Sequence, residues 1–295
     1  MKKINGDQIN SFLDRFLYIY QCLLDQNTGK NGYIKIENPT LSISGVESFN
    51  KSPSRLLCDI FWNSINYKDL EQQLKSKINF FDIGCGSGSY GNLIKDFSND
   101  SFESYSGLDI YKSTKFSKEF NFFLDSANNA YKHIDNKTNF VMSQSALEHI
   151  EYDTLTIEKI TKELLVNGKP FVQAHMVPAS RSLWLYMWHG WRQYSKKNLE
   201  SLGVSLKKKF NVNISIVPLG GSNSFWAHLR FITIPVHIRL LLFRDKNFKW
   251  CNQKNVEKKI VNSIFQELNC TSKTPIFWAL IISSKNINLK YNHIY

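Results

Sequence analysis

Apolar residues in the first half of the chain form short continuous runs that alternate with segments of helical spacing. The clearest run extends from Phe80 to Ile83 and closes at Gly84. It is too short for a helix, so it predicts a fully buried strand. Apolar positions from Tyr90 to Phe97 then recur on one side of a helix. A buried strand, a glycine loop and a helix N-terminus in this order predict a nucleotide-sized binding site.

The alternation of strand and helix patterns continues from Asn79 to Ala174. Parallel strands need crossover connections, and helices normally supply them, so this order predicts an α/β fold with a doubly wound, mostly parallel sheet. Upstream, Gln8 to Leu24 has the spacing of an amphipathic helix, whose apolar stripe is expected to pack on the core or on a partner subunit. The polar segment from Asn27 to Pro53 predicts a loop or short hairpin, and Leu56 to Ile65 predicts a second helix.

The spacing of the glycines bears on which cofactor the loop would bind. Gly86, Gly88 and Gly91 satisfy the dinucleotide pattern G-x-G-x-x-G, which is weak support alone. Gly84, however, is the glycine that closes the strand, and counted from it the pattern is G-x-G-x-G. Asp82 stands two residues earlier, where a carboxylate would repel a pyrophosphate and favour a ligand with an ammonium and a sulfonium.

The segment Asp82-Ile83-Gly84-Cys85-Gly86-Ser87-Gly88 strongly resembles the first motif of the class I S-adenosylmethionine-dependent methyltransferases. The resemblance covers about residues 78–180 well and the end of the chain more loosely. It implies a Rossmann-like sheet of seven strands, with strands six and seven at Phe210–Val217 and Pro275–Ile282. The segment between them, about 220–274, is longer than the family's hairpin and predicts a two-helix insertion. We therefore expect an N-terminal helical extension over residues 1–77 and a methyltransferase domain over residues 78–295.

The resemblance also implies how the chain would bind S-adenosyl-L-methionine. Asp109, at the end of the second strand, would accept hydrogen bonds from the ribose hydroxyls, and its offset from Asp82 is near that of ribose-binding acids. Asp125 and Ser126 match the family position that contacts the adenine, and Gln144 is placed near the methionine moiety. Cys85 belongs to the loop, where its thiol is a small filler. The predicted cofactor-binding set is Asp82, Gly84, Cys85, Gly86, Gly88, Asp109, Ile110, Asp125, Ser126 and Gln144.

A hydroxyl acceptor of the methyl group is a weak nucleophile and benefits from a general base. His149 and His175 follow the fourth and fifth predicted strands, so both are expected at the carboxyl edge of the sheet, where ligands bind. They are the two predicted catalytic residues, and His189 is a weaker third candidate. A structural role for each histidine, and transfer without any base, stay open.

Leu147-Glu148-His149 resembles a signature of methyltransferases that act on small molecules, and it favours O-methylation of a small-molecule or sugar acceptor. The stretch Ser143 to Ala146 lacks the Asn/Asp-Pro-Pro-aromatic motif typical of base-amino methylation. Two alternatives are kept: an RNA or protein acceptor bound by the basic surface, and a non-catalytic binding subunit. Trp184, Trp188 and Trp191 have helical spacing and are either core residues or a wall that stacks against a sugar.

The amino-acid composition says more about the cellular compartment of the protein than about its methyl acceptor. The net charge of +12 permits nucleic-acid binding, but a Lys- and Asn-rich composition alone also produces it. The N-terminus lacks the apolar region of a secretory signal, and no apolar run is long enough to span a membrane, although peripheral contact stays open. The five cysteines are scattered without a CxxC pair, which favours the cytoplasm and argues against a zinc site. The sequence contains no dense cluster of Asp and His residues, so no metal site is predicted, although binding of a lone magnesium ion stays open. The sequence does not predict the oligomeric state.

Overall fold

The computed structural model describes residues 3–9, 11–30, 32–243, 254–268 and 274–292. Within these ranges, eight strands form a single sheet. They are β1 (Lys35–Ile36), β2 (Ile78–Ile83), β3 (Phe102–Asp109), β4 (Asn121–Leu124), β5 (Phe140–Gln144), β6 (Val172–Pro178), β7 (Asn213–Leu219) and β8 (Phe277–Ser283). The helices are α1 (Phe12–Asn27), α2 (Pro53–Ser64), α3 (Tyr67–Leu74), α4 (Ser89–Ser98), α5 (Asp153–Val166), α6 (Leu183–Tyr186), α7 (Lys196–Phe210), α8 (Ser222–His228), α9 (Ile234–Phe243) and α10 (Lys254–Phe265).

The strand order is β1-β7-β8-β6-β5-β2-β3-β4, and β8 alone of these strands runs antiparallel to its neighbours. The expected doubly wound, mostly parallel sheet with a Rossmann-like strand order is therefore confirmed. β2 pairs with β3 on one side and with β5 on the other, so the chain reverses its direction of winding at β2. In open α/β sheets, ligands bind at the carboxyl ends of the strands next to such a point.

The eighth strand, β1, lies in the segment predicted as a loop or short hairpin. It has only two residues and pairs in parallel with β7 at the edge of the sheet. Two residues carry too little apolar alternation to be recognised as a strand in the sequence. Through β1 and α2, the segment predicted as an N-terminal extension joins the main sheet and its core, and the boundary between residues 77 and 78 stays a prediction.

Two apolar cores cover the two faces of the sheet. The first includes the buried side chains of α2, α3, α4 and α10, such as Trp62 and Ile260, packed with Phe80 of β2. The second includes the buried side chains of α5 and α7, such as Ile160 and Leu206, packed with Phe81 of β2. Because the adjacent residues 80 and 81 point to opposite faces, β2 is buried on both sides, as its continuous apolar run predicts.

Helix α1 confirms the predicted N-terminal helix but begins later, at Phe12, because the Ser11 hydroxyl caps it by accepting from the Asp14 N–H at 3.0 Å. Tyr18 and Cys22 are buried on its inner side. Much of the apolar stripe that was expected to pack on the core instead faces solvent, since Phe12 is 76% and Phe16 is 57% exposed. Packing of this stripe on a partner subunit stays a prediction.

The predicted insertion is mostly helical where it is described. Its first helix comprises α8, a π-helical turn at Leu229–Thr233 and α9, and α10 follows after residues 244–253, which lie outside the described ranges. The π turn comes just before Pro235, which has no N–H to donate to the preceding turn. None of the helices in the described ranges is both long and apolar enough to cross a membrane.

Candidate active site

The carboxyl ends of β2, β3 and β5 border a cavity of about 470 Å³, called here the first cavity. Gly84, Asp109 and Ser145 line it where these three strands end. The N-terminal segment closes the opposite side through Asn5 and Gln8. A volume in this range suits a cofactor or drug-sized ligand.

The glycine loop that follows β2 is fixed by backbone hydrogen bonds. Gly84 N donates to Leu108 O at 2.8 Å, and Gly86 N donates to Asp109 Oδ2 at 2.8 Å. Gly84 has φ +72°, and a Cβ at this position would lie 2.5 Å from Cβ of Ala146. No other residue fits there without displacing the chain, so the glycine that the motif requires allows the β5 exit to approach the loop.

Asp109 and Ile110 bring a carboxylate and an apolar surface to the same wall. Both line the first cavity, and the side chain of Ile110 is 78% exposed although it is large and apolar. Ala127 and Ile150 add further apolar surface, and Ser126 adds a hydroxyl. This combination fits a nucleoside, whose ribose hydroxyls donate to a carboxylate while the base packs between apolar side chains.

Asp82 lies within the sheet and does not belong to the lining of the first cavity. Its carboxyl is buried, and the Tyr105 hydroxyl donates to Oδ2 at 2.5 Å. Oδ1 accepts no hydrogen bond from any described residue. Burial raises the pKa of this carboxyl to about 7 in spite of the Tyr105 hydrogen bond. A buried oxygen without a partner beside the glycine loop fits a ligand that brings a donor or a cation.

Asp125 is held by its own segment instead of pointing into the first cavity. Its carboxylate accepts from Asn129 Nδ2 at 2.9 Å and lies 2.8 Å from Nε2 of His133. These hydrogen bonds, with Asn129 contributing most, lower its pKa to about 2. Ser126 and Asn128, next along the chain, do line the cavity. The contact between Asp125 and an adenine stays a prediction that would require this carboxylate to turn.

A second cavity of about 180 Å³ lies beside the first, and Ser145 belongs to the lining of both. Gln144 lines the second cavity only, and its Oε1 accepts from Nε1 of Trp62 at 2.9 Å. Ser145 has φ +51°, a left-handed conformation that is costly for a residue other than glycine. Backbone strain of this kind is concentrated at functional sites.

A cluster of Asp7, His149 and His189 stands between the two cavities. His149 lines the first cavity and His189 the second, and their rings meet edge to face at 4.4 Å. Asp7 Oδ2 lies 2.7 Å from Nδ1 of His149, and Asp7 Oδ1 lies 3.5 Å from Nδ1 of His189. Burial opposes ionisation of Asp7, but the two histidines outweigh it and hold its pKa well below the usual range. Burial also disfavours a charged His149, but Asp7 and Glu148 raise its pKa above the usual value.

Backbone contacts hold the N-terminal segment in this place. Gly6 N donates to Gly190 O at 2.7 Å, and Gly190 N donates to Asp7 Oδ2 at 3.1 Å. Gly190 has φ +65°, and a Cβ there would lie 2.4 Å from the backbone oxygen of Glu148. The Tyr18 hydroxyl donates to the backbone oxygen of His189 at 2.6 Å, which ties α1 to the same loop.

His175, the second predicted base, lies away from both cavities. It sits in β6 opposite Ser143 of β5, is fully buried, and has its Nδ1 2.9 Å from the Ser143 hydroxyl oxygen. Burial lowers its pKa to about 3, so the imidazole is neutral at physiological pH. The residue follows the pattern of a structural histidine, which was the alternative to its catalytic role.

The aromatic residues after β6 are not carried by one long helix. α6 ends at Tyr186, and Met187 has φ +50°, so the three tryptophans do not form a helical stripe. Trp191 lines the first cavity, Trp188 lies under the guanidinium of Arg15 at 4.8 Å, and Trp184 is half-exposed. Trp191 is thus the only tryptophan of the three that lines either described cavity.

Sequence reasoning missed Asn5, Asp7 and Gln8, and it ranked His189 below the other histidines. Asp7 lies 142 residues before His149, and no spacing pattern connects residues so far apart. The only local signal was the pair of glycines, Gly6 and Gly190, which in retrospect mark a close approach of two backbones.

No family model matches the chain, and no curated protein matches it. Among solved structures, it is similar to the plantazolicin methyltransferase BamL in complex with a triazolic desmethylPZN analog and SAH, with 12% identity over 81% of this chain and 86% of that one, at a TM-score of 0.46. A SAM-dependent methyltransferase from Archaeoglobus fulgidus matches with 18% identity over 81% of this chain and 97% of that one, at a TM-score of 0.45. A small RNA methyltransferase matches with 13% identity over 76% of this chain and 25% of that one, at a TM-score of 0.43.

These neighbours are all methyltransferases, but likeness at such identities and TM-scores is too distant to assign an activity to this chain. The function of the chain is therefore inferred from its own motif and from the geometry of its two cavities.

Proposed function

We propose that this protein is an S-adenosyl-L-methionine-dependent methyltransferase that methylates a hydroxyl group of a small, polar acceptor. One observation carries the proposal. The segment from Asp82 to Gly88 leaves the central strand at the point where the sheet changes direction, directly beside the first cavity. The resemblance of this segment to the methyltransferase motif and its place in the fold thus support the same function.

The residues around the first cavity fit an adenosyl group. Asp109 would accept from the ribose hydroxyls, as the sequence predicts, while Ile110 and Ile150 would pack against the base. The ammonium of the methionine moiety would lie toward the glycine loop. Asp82 adjoins this loop outside the cavity lining, and its carboxyl, when ionised, would attract the ammonium from there. The cofactor would supply an electrophilic methyl group, and the chain would supply position and orientation.

The second cavity is the proposed acceptor site, because Ser145 links it to the first. Its small size admits one polar group, such as a sugar ring, and Gln144, Glu148 and Tyr186 offer hydrogen-bonding atoms. The acceptor hydroxyl would then lie beside His149 and His189, between the two cavities.

The charges around the cavities do not favour a phosphate-rich acceptor. Glu151 and Asp109 line the first cavity and Glu148 lines the second, whereas Arg55 is the only lysine or arginine in either lining. Binding of a nucleic acid depends on cationic side chains that contact phosphates. The net charge of +12 is therefore not concentrated where the methyl group would be transferred.

Isothermal titration calorimetry with S-adenosylhomocysteine tests the cofactor assignment directly. We expect one binding site per chain, with an affinity that falls when Asp109 is changed to Ala. A folded protein that binds neither S-adenosyl-L-methionine nor its demethylated product would overturn the proposal and would favour a non-catalytic binding subunit.

Transfer of a labelled methyl group to candidate acceptors tests the acceptor class. We expect incorporation into hydroxyl-bearing small molecules or glycans and none into RNA. Labelling of RNA that weakens steeply with salt would contradict the acceptor assignment and support the RNA alternative.

A further inference from the structure

Four side chains that ligate metals elsewhere in proteins converge between the two cavities: Asp7, Glu148, His149 and His189. One ligand atom from each of Asp7, His149 and His189 lies within 4.8 Å of the others. Both carboxylate oxygens of Asp7 face imidazole nitrogens, at 2.7 Å for His149 and 3.5 Å for His189. These three ligand atoms are close enough together to bond one ion after side-chain rotation, whereas Glu148 faces the other ring nitrogen of His189.

Glu148 supplies an independent observation. Its side chain is fully buried, and neither of its carboxylate oxygens accepts a hydrogen bond from the described part of the chain. The nearest imidazole nitrogen, Nε2 of His189, lies 3.9 Å from Oε1. A buried carboxylate with both oxygens unsatisfied is costly, and in native proteins such a group has a partner, an ion or a water.

The donor set restricts the ligand. One carboxylate and two imidazoles combine hard oxygen with borderline nitrogen donors, a set that suits Mn²⁺, Fe²⁺, Co²⁺ or Zn²⁺ more than Ca²⁺. Such an ion bonds these atoms at about 2.0–2.2 Å. Two carboxylates would also balance its charge in a half-buried place.

We propose that Asp7, His149 and His189 bind one divalent transition-metal ion and that the buried Glu148 lies beside it as a second carboxylate. His149 then serves as a ligand instead of a free general base. Asp7 makes the N-terminal segment part of the site, and the hydrogen bonds of Gly6 and Gly190 place it there. This proposal departs from the expectation, drawn from the sequence, that the chain has no metal site.

The role of the ion rests on the proposed function, although its binding does not. It would lie where the two cavities meet, so an acceptor oxygen bonded to it would lie close to the transferable methyl group. A divalent cation lowers the pKa of a hydroxyl or water bound to it, which is the chemistry that a hydroxyl acceptor needs.

The test uses Mn²⁺ alone, added to protein treated with a chelator, with free Mn²⁺ followed by electron paramagnetic resonance. We expect one Mn²⁺ per chain in the absence of cofactor and acceptor. Mg²⁺ and Zn²⁺ serve as competitors, and displacement by Zn²⁺ but not by Mg²⁺ supports imidazole ligation. Failure of the wild-type chain to bind any of the three ions overturns the proposal.

Variants locate the ion. We expect Asp7→Asn, His149→Gln and His189→Gln each to weaken Mn²⁺ binding at least about tenfold. His133→Gln is the matched control, because it removes the imidazole of another Asp–His pair of similar length, 2.8 Å. Equal Mn²⁺ affinity in the wild type and all three cluster variants overturns the site, as does an equal loss in the control.

Two further measurements keep the outcome clear if a variant fails to fold. Nitrogen couplings in the spin-echo spectrum of Mn²⁺ bound to the wild type report imidazole ligands without any substitution, and their absence overturns the proposal. S-adenosylhomocysteine binding is measured on the same samples. Cofactor binding without metal binding contradicts only this site, whereas metal binding without cofactor binding contradicts only the proposed methyltransferase activity.

Discussion

The two cavities share Ser145 but are built from the chain in different ways. The first takes its predicted cofactor residues from the ends of β2, β3 and β4, which follow one another along the chain. The cluster between the cavities takes residues 7, 149 and 189 from three distant segments. A cofactor loop is thus recognisable from one stretch of sequence, whereas the groups that would handle the acceptor are recognisable only after folding.

The two regions also differ in what holds them. The cofactor loop is fixed by a glycine and by hydrogen bonds from its backbone N–H groups, one to the Leu108 carbonyl and one to the Asp109 carboxylate. The cluster is formed by an aspartate and two histidines that face one another, and its arrangement depends on the N-terminal segment. We expect substitutions at the first region to affect folding and cofactor binding, and substitutions at the second to spare both.

The largest effect is expected for Gly84→Ala. The change adds the strain of a left-handed non-glycine residue, about 1–2 kcal/mol, to a clash that costs about 1–3 kcal/mol. Gly168→Ala is the control, since it has a similar φ of +67° but no atom within 4 Å of the added Cβ. Urea unfolding is expected to show a loss of about 3 kcal/mol for the first and about 1 kcal/mol for the second. Equal losses would mean that Ala146 does not restrict the loop.

The next largest effect is a difference in S-adenosylhomocysteine affinity between a variant of the first cavity and a variant of the cluster. Asp109→Ala removes a charged acceptor, worth about 1.5–3 kcal/mol, and is expected to weaken S-adenosylhomocysteine binding about 10- to 100-fold. His149 lines the same cavity but belongs to the cluster. Its substitution His149→Gln is expected to change S-adenosylhomocysteine affinity by less than about threefold. Calorimetry on both variants measures the two affinities. A larger loss for His149→Gln than for Asp109→Ala would mean that the cofactor does not bind at Asp109.

A pH dependence follows from Asp82. Its carboxyl has a pKa of about 7 in the free protein, so it becomes ionised, and attractive to an ammonium, as the pH rises from 6 to 8. S-adenosylhomocysteine affinity is therefore expected to rise about tenfold over this interval. Asp82→Asn is expected to abolish the rise, and an identical pH profile in that variant would exclude Asp82 as its cause.

The Asp82 carboxyl also makes the stability of the free protein depend on pH, and stability is expected to fall over a pH range in which cofactor affinity rises. Because its folded-state pKa is raised, the unfolded chain loses this proton first, and stability falls as the pH rises from about 4 to 7. Asp82→Asn removes the cost of a buried carboxylate, so it is expected to stabilise the free protein more at pH 8 than at pH 4. Urea unfolding at both values measures this, and a pH-independent effect would contradict it.

The smallest effect is expected for Asp125→Asn. Asn129 and His133 engage this carboxylate, and the first cavity is lined by its neighbours instead. We expect S-adenosylhomocysteine affinity to change less than about threefold. A loss as large as that of Asp109→Ala would show that the carboxylate turns to contact the cofactor, as the sequence resemblance implies.

The sequence predicts what depends on local patterning. The run from Phe80 to Ile83 could only be a buried strand, and Gly84 could only be a turn, so the central strand and its loop follow directly. The sequence does not predict the orientation of side chains that have competing partners. Asp125 and Gln144 satisfy the family positions, yet His133 and Trp62 engage them in the free chain. His149 and His175 both follow predicted strands, but β6 continues three residues beyond His175, to Pro178, and this buries the second histidine within the sheet.

The contact of Asp7 with Gly190 also has a consequence for biosynthesis. The aspartate leaves the ribosome before its partner, which follows 183 residues later. The last strand of the sheet, β8, emerges later still. A nascent chain can therefore complete its glycine loop long before the groups between the cavities meet, and the protein is expected to acquire its parts during translation in that order.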